Sequence, residues 1–223
     1  MPVMDKNVLD AMARWPGVPD VFGWLSLSEQ GRWRLHPRGD ALALTPDPEP
    51  GEAIGNSTIL AFMDRNYTGD AHGRWYFQNG PQRVFVRLDA APYILRTTGP
   101  DSALRTHNGL DVKDVSAWAL DDMGRMYALT EHGPGLVAGR DLPALLGALR
   151  TAQGQPLLDA LEQHDRTGPI ALLPRRGARG GGAAPLHFRT AHDIAATLGF
   201  VRFPETIRTA TPSPAGDAAG PHV

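Results

Sequence analysis

Two glutamines and an arginine surround a tight turn in WYFQNGPQRVFVRL, residues 75–88. Asn79-Gly80 suits a hairpin turn, and Pro81 cannot donate a hydrogen bond, so strand pairing is expected to resume after it. The turn does not require the polar side chains beside it, and these could recognise a carboxylate or a peptide backbone next to aromatic rings. The residues predicted to bind a ligand are Trp75, Gln78, Gln82 and Arg83. Alternatively, the polar side chains only satisfy neighbouring loop carbonyls.

A second group of side chains with chemical potential lies near the C-terminus. His187, His192 and Asp193 fall at a predicted strand-to-helix junction, which can direct side chains to one point and hold a cation. This spacing favours a metal-assisted hydrolase as an alternative function, although the sequence contains no His-Glu-x-x-His. A structural explanation is preferred, in which Thr190 caps a helix and Asp193 is the acid of a capping box.

A glycine-rich loop with three arginines interrupts the periodicity at 175–184. Arg175, Arg176 and Arg179 could hold a phosphate or an RNA strand by charge. The chain as a whole has a net charge of −2, so no global field attracts nucleic acid. Binding to nucleic acid is therefore not expected, and the loop is interpreted as solvated.

Composition excludes several mechanisms. The chain has no cysteine, which removes disulfides, thiolate metal sites and cysteine nucleophiles. None of its serines lies in Gly-x-Ser-x-Gly or Ser-x-x-Lys, and no phosphate-binding loop motif is found. No segment has the pattern of a signal peptide or a membrane span, so a cytoplasmic protein is expected, with no cofactor.

A short pattern, Ser or Asp followed three residues later by Gly-Arg, occurs three times, starting at Ser28, Asp70 and Asp121. The first side chain can accept hydrogen bonds from the turn backbone, and the glycine can adopt the left-handed conformation that closes a type I turn with a bulge. The pattern could mark a repeated ligand-binding turn. We favour recurrent turn chemistry in an antiparallel sheet.

Hydrophobic periodicity predicts an α+β fold in which antiparallel β-hairpins pack against a few amphipathic helices. Hairpins are predicted at 21–36, 75–88 and 115–130. Helices are predicted at 5–14, 57–67, 141–150, 156–163 and 190–198. Residues 186–203 are interpreted as a closing β-α-β unit. The predicted organisation is an α+β domain over 1–150, a C-terminal subdomain over 151–206 and a disordered tail over 207–223.

Three segments, WPGVPDVFGWLSL, NGPQRVFV and GPGLVAGRDLPALL, resemble an uncharacterised proteobacterial family known by a domain-of-unknown-function label. The resemblance covers about residues 8–150. It implies a cytoplasmic α+β protein and no activity, cofactor or catalytic residue. Because the common catalytic signatures are missing, the sequence favours a non-catalytic binding or regulatory module for a protein or a small anionic ligand.

Overall fold

The computed structural model describes residues 4–43, 49–99, 102–174 and 182–205. These residues form fourteen strands and five α-helices. The strands are β1 (Val21–Leu27), β2 (Trp33–Leu35), β3 (Glu52–Ala53), β4 (Tyr67–Gly69), β5 (Trp75–Asn79), β6 (Gln82–Leu88), β7 (Tyr93–Thr98), β8 (Ala103–Thr106), β9 (Asp111–Val112), β10 (Val115–Asp121), β11 (Met126–Thr130), β12 (Gly133–Val137), β13 (Ile170–Leu172) and β14 (Ala184–Arg189). The helices are α1 (Lys6–Arg14), α2 (Ser57–Arg65), α3 (Leu142–Ala148), α4 (Leu157–Gln163) and α5 (Ile194–Leu198).

The strands form two sheets, and both are mixed. The first sheet has six strands in the order β3-β2-β1-β6-β5-β4, with β1 and β6 parallel. The second has eight strands in the order β13-β14-β10-β11-β12-β7-β8-β9. In that sheet β10 is parallel to β14, and β12 is parallel to β7. Parallel pairing between hairpins thus joins local units into two continuous sheets.

The expectation of an α+β fold with hairpins packed against helices is wrong. The predicted hairpins do form: β1 pairs with β2, β5 with β6 and β10 with β11. However, the described helices contain only five to nine residues each, too little to cover two sheets. The hairpins instead bury their apolar faces between sheets, so the chain is mostly β.

The predicted C-terminal β-α-β unit is also wrong. β13 and β14 are antiparallel neighbours, and α5 follows them, but no strand forms at 200–203. That segment instead donates Val201 N–H to the Gly73 carbonyl and accepts from Leu88 N–H at the Arg202 carbonyl. Residues 200–203 therefore satisfy backbone groups at the first sheet without pairing as a strand.

Aromatic side chains join the two sheets. Tyr67 and Trp75 of the first sheet pack against Tyr93 of the second, with ring centroids 5.8 and 5.1 Å from Tyr93. Trp33 meets Tyr67 edge-on at 5.0 Å. Such pairs each add about 0.5–1.5 kcal/mol beyond the area they bury. This cluster explains why the sheets hold a fixed relationship, which places loops of both around one cavity.

The proposed boundary at residue 150 stays a prediction. β14, which follows that boundary, pairs with β10, which precedes it. The tail predicted at 207–223 lies outside the described residues. Among the helices of the described ranges, none has the length and apolar character needed to cross a membrane.

Candidate functional site

The repeated turns have the same hydrogen bonding at all three positions, as predicted. In the turn that begins at Asp121, Oδ1 accepts from Met123 N–H at 3.0 Å and from Arg125 N–H at 2.7 Å. Gly124 closes the turn with φ of 76°. The Asp70 and Ser28 turns repeat this arrangement, with their glycines at φ of 74° and 75°. The pattern thus builds three turns that each end on an arginine.

One of these arginines has a structural role. Arg74 is buried, and its Nη2 lies 2.7 Å from Asp70 Oδ2. Its guanidinium lies 4.5 Å from the Phe85 ring centroid, and Nη1 donates to the Glu205 carbonyl at 3.0 Å. Because these contacts satisfy the guanidinium inside the protein, Arg74 is not available to a ligand.

The arginines of the other two turns line one cavity of about 420 Å3. Arg32 comes from the turn after β1, and Arg125 from the turn after β10, so the cavity lies where the two sheets meet. Arg96 of β7 and Arg140, just before α3, complete the set. We call this cavity, defined by Arg32, Arg96, Arg125 and Arg140, the arginine pocket. Its volume falls within the range of about 300–1,000 Å3 that is typical of small-molecule sites.

Two arginines of the pocket are anchored. Arg96 Nη2 donates to the Gln30 carbonyl at 2.9 Å. Arg125 Nε donates to Asp121 Oδ2 at 2.8 Å. Burial alone would lower the pKa of Arg125, but the hydrogen bond to Asp121 and the charges of Tyr127, Asp121 and Glu29 together outweigh burial, so the pKa lies above its ordinary value. Hydrogen bonds therefore hold these two cations in place.

The other two arginines are exposed, and the described residues leave most of their donors free. In the described part of the chain, no side chain or carbonyl accepts a hydrogen bond from the Arg32 guanidinium. Arg140 Nε lies 3.8 Å from Asp141 Oδ2, which is too far for a hydrogen bond. A guanidinium carries five N–H donors in a planar fork that matches carboxylate and phosphate oxygens. These two side chains can therefore close on an anion.

The charge lining the arginine pocket is strongly positive. Glu29 is the one acidic residue among those that line it, and its Oε1 lies 3.6 Å from Arg125 Nη1. The rest of the lining is one polar residue, Gln30, two glycines and the apolar residues Leu136, Val137, Ala138 and Leu142. Apolar walls lower the local dielectric and strengthen the attraction of the cations for an anion. The chemistry of the pocket therefore favours a small anion.

A different cluster has the residue types of a nucleophilic triad. Ser26 Oγ lies 2.9 Å from His36 Nε2, and His36 Nδ1 lies 3.6 Å from Asp40 Oδ1. Burial lowers the pKa of His36, and the positive charge of Arg87 lowers it further. Ser26 has no exposed surface. A substrate carbonyl cannot reach its hydroxyl, so the cluster ties the loop after β2 to the sheet.

The structure does not bring together the four residues predicted around the 75–88 turn. Cross-strand register places Gln78 opposite Arg83 and Asn79 opposite Gln82, so Gln78 and Gln82 lie on opposite faces of the sheet. Trp75 is part of the buried core. Pairing resumes at Gln82, as the proline predicts.

The alternative interpretation, in which the polar side chains satisfy neighbouring loop carbonyls, agrees with the hydrogen bonds of Gln78 and Gln82. Gln78 Nε2 donates to the Gly80 carbonyl at 2.8 Å, and Gln82 Nε2 donates to the Pro19 carbonyl at 3.2 Å. Arg83 lies over the Tyr76 ring at 5.1 Å. Glutamine amides here satisfy loop carbonyls, and ligand binding by these residues stays a prediction.

The residues of the predicted metal site lie around the start of α5. His187 is half-buried in β14, whereas His192 and Asp193 are exposed. Thr190 Oγ1 donates to Asp193 Oδ2 at 2.8 Å and accepts from Asp193 N–H at 3.3 Å. The N-cap of α5 is Asp193, whose side chain makes no capping hydrogen bond, so the prediction that Thr190 caps this helix is wrong. Within the ranges that the structure describes, no group of three or more His, Asp and Glu side chains could hold a metal ion. The predicted phosphate-binding residues Arg175, Arg176 and Arg179 lie outside the described residues.

The repeated Gly-Arg pattern is a sequence signal for the arginine pocket, but by itself it predicts only the structure of a turn. The Gly-Arg pairs at 31–32 and 124–125 supply two of its four cations. Arg96 and Arg140 belong to no motif. What no sequence pattern shows is that turns from two different sheets face each other.

The chain matches the family DUF2944, described as "Protein of unknown function (DUF2946)", over residues 4–205. It belongs to this family, which confirms the resemblance to a domain-of-unknown-function family. The comparison with curated proteins finds no match. Among solved structures, the chain is similar to a DUF1285 family protein from Silicibacter pomeroyi DSS-3. The two are 14% identical with a TM-score of 0.47, over 82% of this chain and 88% of that chain.

Proposed function

We propose that this protein is a cytoplasmic, non-catalytic binding or regulatory module that holds a small anionic ligand in the arginine pocket. The observation that carries the proposal is the convergence of four guanidinium groups on one cavity lined by a single carboxylate. Arg96 and Arg125 are anchored, whereas Arg32 and Arg140 can move to contact a ligand. This arrangement suits a phosphate or carboxylate group.

Anchored cations reduce the entropic cost of binding. Arg96 and Arg125 are already held by Gln30 and Asp121, so an anion does not have to order them. Glu29 partly neutralises the pocket, and an incoming anion would compete with it for Arg125. Binding should therefore weaken as salt screens the exposed cations.

Isothermal titration calorimetry with inorganic phosphate tests the proposal. Arg32→Gln should weaken phosphate binding roughly tenfold or more, because a hydrogen bond to a charged group contributes about 1.5–3 kcal/mol. The thermal stability should barely change, since Arg32 is exposed and has no side-chain partner in the described ranges. Arg14→Gln is the matched control, because Arg14 is an exposed arginine on α1 outside the pocket. Equal binding by wild type and Arg32→Gln would contradict the proposal.

A further inference from the structure

Asparagine followed by glycine occurs twice in the sequence, at Asn79-Gly80 and at Asn108-Gly109. In such a pair the glycine amide nitrogen can attack the side-chain carbonyl carbon of the asparagine, because glycine has no Cβ to block the approach. The reaction needs an asparagine side chain that can turn towards the glycine, and an amide nitrogen that is not engaged in a hydrogen bond. The two pairs differ in both respects.

Asn79-Gly80 meets both requirements. Asn79 is the last residue of β5 and is exposed, and among the described residues its side chain has no hydrogen-bond partner. Gly80 follows with φ of 57°, in the left-handed region that glycine adopts readily. Its carbonyl accepts from Gln78 Nε2 at 2.8 Å, but its N–H donates no hydrogen bond within the described ranges. Neither the side-chain amide nor the attacking nitrogen is therefore held away from the reaction.

Hydrogen bonds hold the second pair, Asn108-Gly109, in place. Asn108 is half-buried, its Oδ1 accepts from Thr106 Oγ1 at 2.6 Å, and its Nδ2 donates to the Asp64 carbonyl at 3.1 Å. Gly109 N–H donates to the Thr106 carbonyl at 3.0 Å. Attack at Asn108 has to break these bonds first, and each broken bond raises the barrier. The turn after β8 therefore protects Asn108.

We propose that Asn79 is a modification site, at which the side-chain amide is converted to a carboxylate without an enzyme, whereas Asn108 is preserved. The proposal is independent of the arginine pocket. The Gly80 nitrogen, after losing its proton to hydroxide, attacks Cγ of Asn79, so that an N–Cγ bond forms. The Cγ–Nδ2 bond breaks, and Nδ2 takes a proton from water and leaves as ammonia. The product is a cyclic imide.

Water then opens the cyclic imide at one of its two carbonyl carbons. Cleavage between the Gly80 nitrogen and Cγ gives aspartate, and cleavage between that nitrogen and the backbone carbonyl carbon gives isoaspartate. Either product replaces a neutral amide by a carboxylate, so the net charge becomes more negative than −2. Isoaspartate also carries the main chain through Cγ and so lengthens it. Because Asn79 pairs with Gln82 at the end of the β5–β6 ladder, the added length lies beyond the remaining pairs.

Peptide mapping by mass spectrometry, after incubation of the folded wild-type protein at mildly alkaline pH, tests the proposal. The peptide that contains Asn79 should gain the mass of the change from NH2 to OH roughly tenfold or more faster than the peptide that contains Asn108. In guanidinium chloride the two peptides should react at similar rates, because the fold no longer holds Asn108. Asn79→Gln should remove the acidic species that forms first on anion-exchange chromatography, and should leave the rate at Asn108 unchanged.

Three results would overturn the proposal. The first is equal rates at the two asparagines in the folded protein, or a faster reaction at Asn108. The second is an Asn79 that reacts only after denaturation, which would mean that the hairpin protects it. The third is a difference in rate that persists in guanidinium chloride, which would assign the contrast to neighbouring residues in the sequence and not to the fold. If Asn79→Gln does not fold, the comparison of the two peptides in wild type decides the question.

Discussion

Glu29 Oε1 lies 3.6 Å from Arg125 Nη1, which links the turn after β1 in the first sheet to the turn after β10 in the second. Each residue belongs to a copy of the same turn pattern. Beside this contact Arg32 and Arg125 line one cavity, although the two arginines are far apart in sequence. The arginine pocket is therefore a product of how the two sheets meet.

The Asp121 carboxylate should be a major stabilising group. Its side chain has no exposed surface, accepts from two backbone N–H groups and pairs with Arg125. Asp121→Ala should lower the free energy of unfolding by about 2–4 kcal/mol, because buried donors lose their acceptor. Urea unfolding followed by circular dichroism measures this change.

The neighbouring Asp122 provides the control for Asp121. It is exposed and accepts one hydrogen bond, from Ala191 N–H at 2.8 Å. Asp122→Ala should cost about 1 kcal/mol or less. Equal losses from the two substitutions would show that the turn hydrogen bonds do not stabilise the fold as described.

Two glycines with nearly the same backbone conformation should respond differently to alanine. Gly31 and Gly124 have φ of 75° and 76°, which costs an alanine about 1–2 kcal/mol at either position. A Cβ at Gly31 would also lie 2.6 Å from the Cβ of His107, whereas nothing lies within 4 Å of one at Gly124. Gly31→Ala should therefore be the more destabilising substitution in thermal unfolding. A smaller loss for Gly31→Ala would contradict the close approach to His107.

His107 should make the stability of the protein depend on acid pH. Its folded pKa of about 3 lies below the value of 6.5 expected in the unfolded chain. Between these values the unfolded chain binds a proton that the folded protein does not. Stability from this group is therefore intact above pH 6.5 and falls by about 1.4 kcal/mol per pH unit below it.

Replacement of His107 isolates that contribution. In His107→Gln, which keeps an acceptor for Ile94 N–H, the loss of unfolding free energy between pH 6 and 4.5 should be smaller than in wild type by about 1.4 kcal/mol per pH unit. Chemical denaturation at several pH values measures the slope. His72→Gln, at an exposed turn position, should leave it unchanged. An unaltered slope in His107→Gln would mean that His107 is not buried in its neutral form.

Local features of this fold, such as turns and hairpins, could be predicted from sequence, but the pairing of distant strands into two sheets could not. The turn at Asp121 to Arg125 depends on five consecutive residues, so its hydrogen bonds follow from residue type. The pairing of β5 with β6 depends on a two-residue connection. By contrast, β1 pairs with β6 and β10 with β14 in parallel, and residue patterns within a single hairpin carry no information about such distant partners.

The same lack of information about distant partners explains why the predicted ligand-binding residues differ from those that line the arginine pocket. Gln78 donates to the carbonyl of Gly80 inside its own turn, whereas Gln82 donates to the carbonyl of Pro19, which only the folded chain brings near. The repeated pattern predicts Arg32 and Arg125 only as turn residues. Whether such an arginine is buried, like Arg74, or lines a cavity, like Arg32, depends on the sheet beyond the turn.

Nuclear magnetic resonance of the arginine side chains during a phosphate titration tests the central claim most directly. The Nε–Hε signals of Arg32, Arg96, Arg125 and Arg140, assigned by single Arg→Gln variants, should shift together and saturate at one common affinity. The signals of Arg14 and of the buried Arg74 should stay in place. Shifts confined to arginines outside the pocket, or no saturable shift of these four, would contradict an anion site between the two turns.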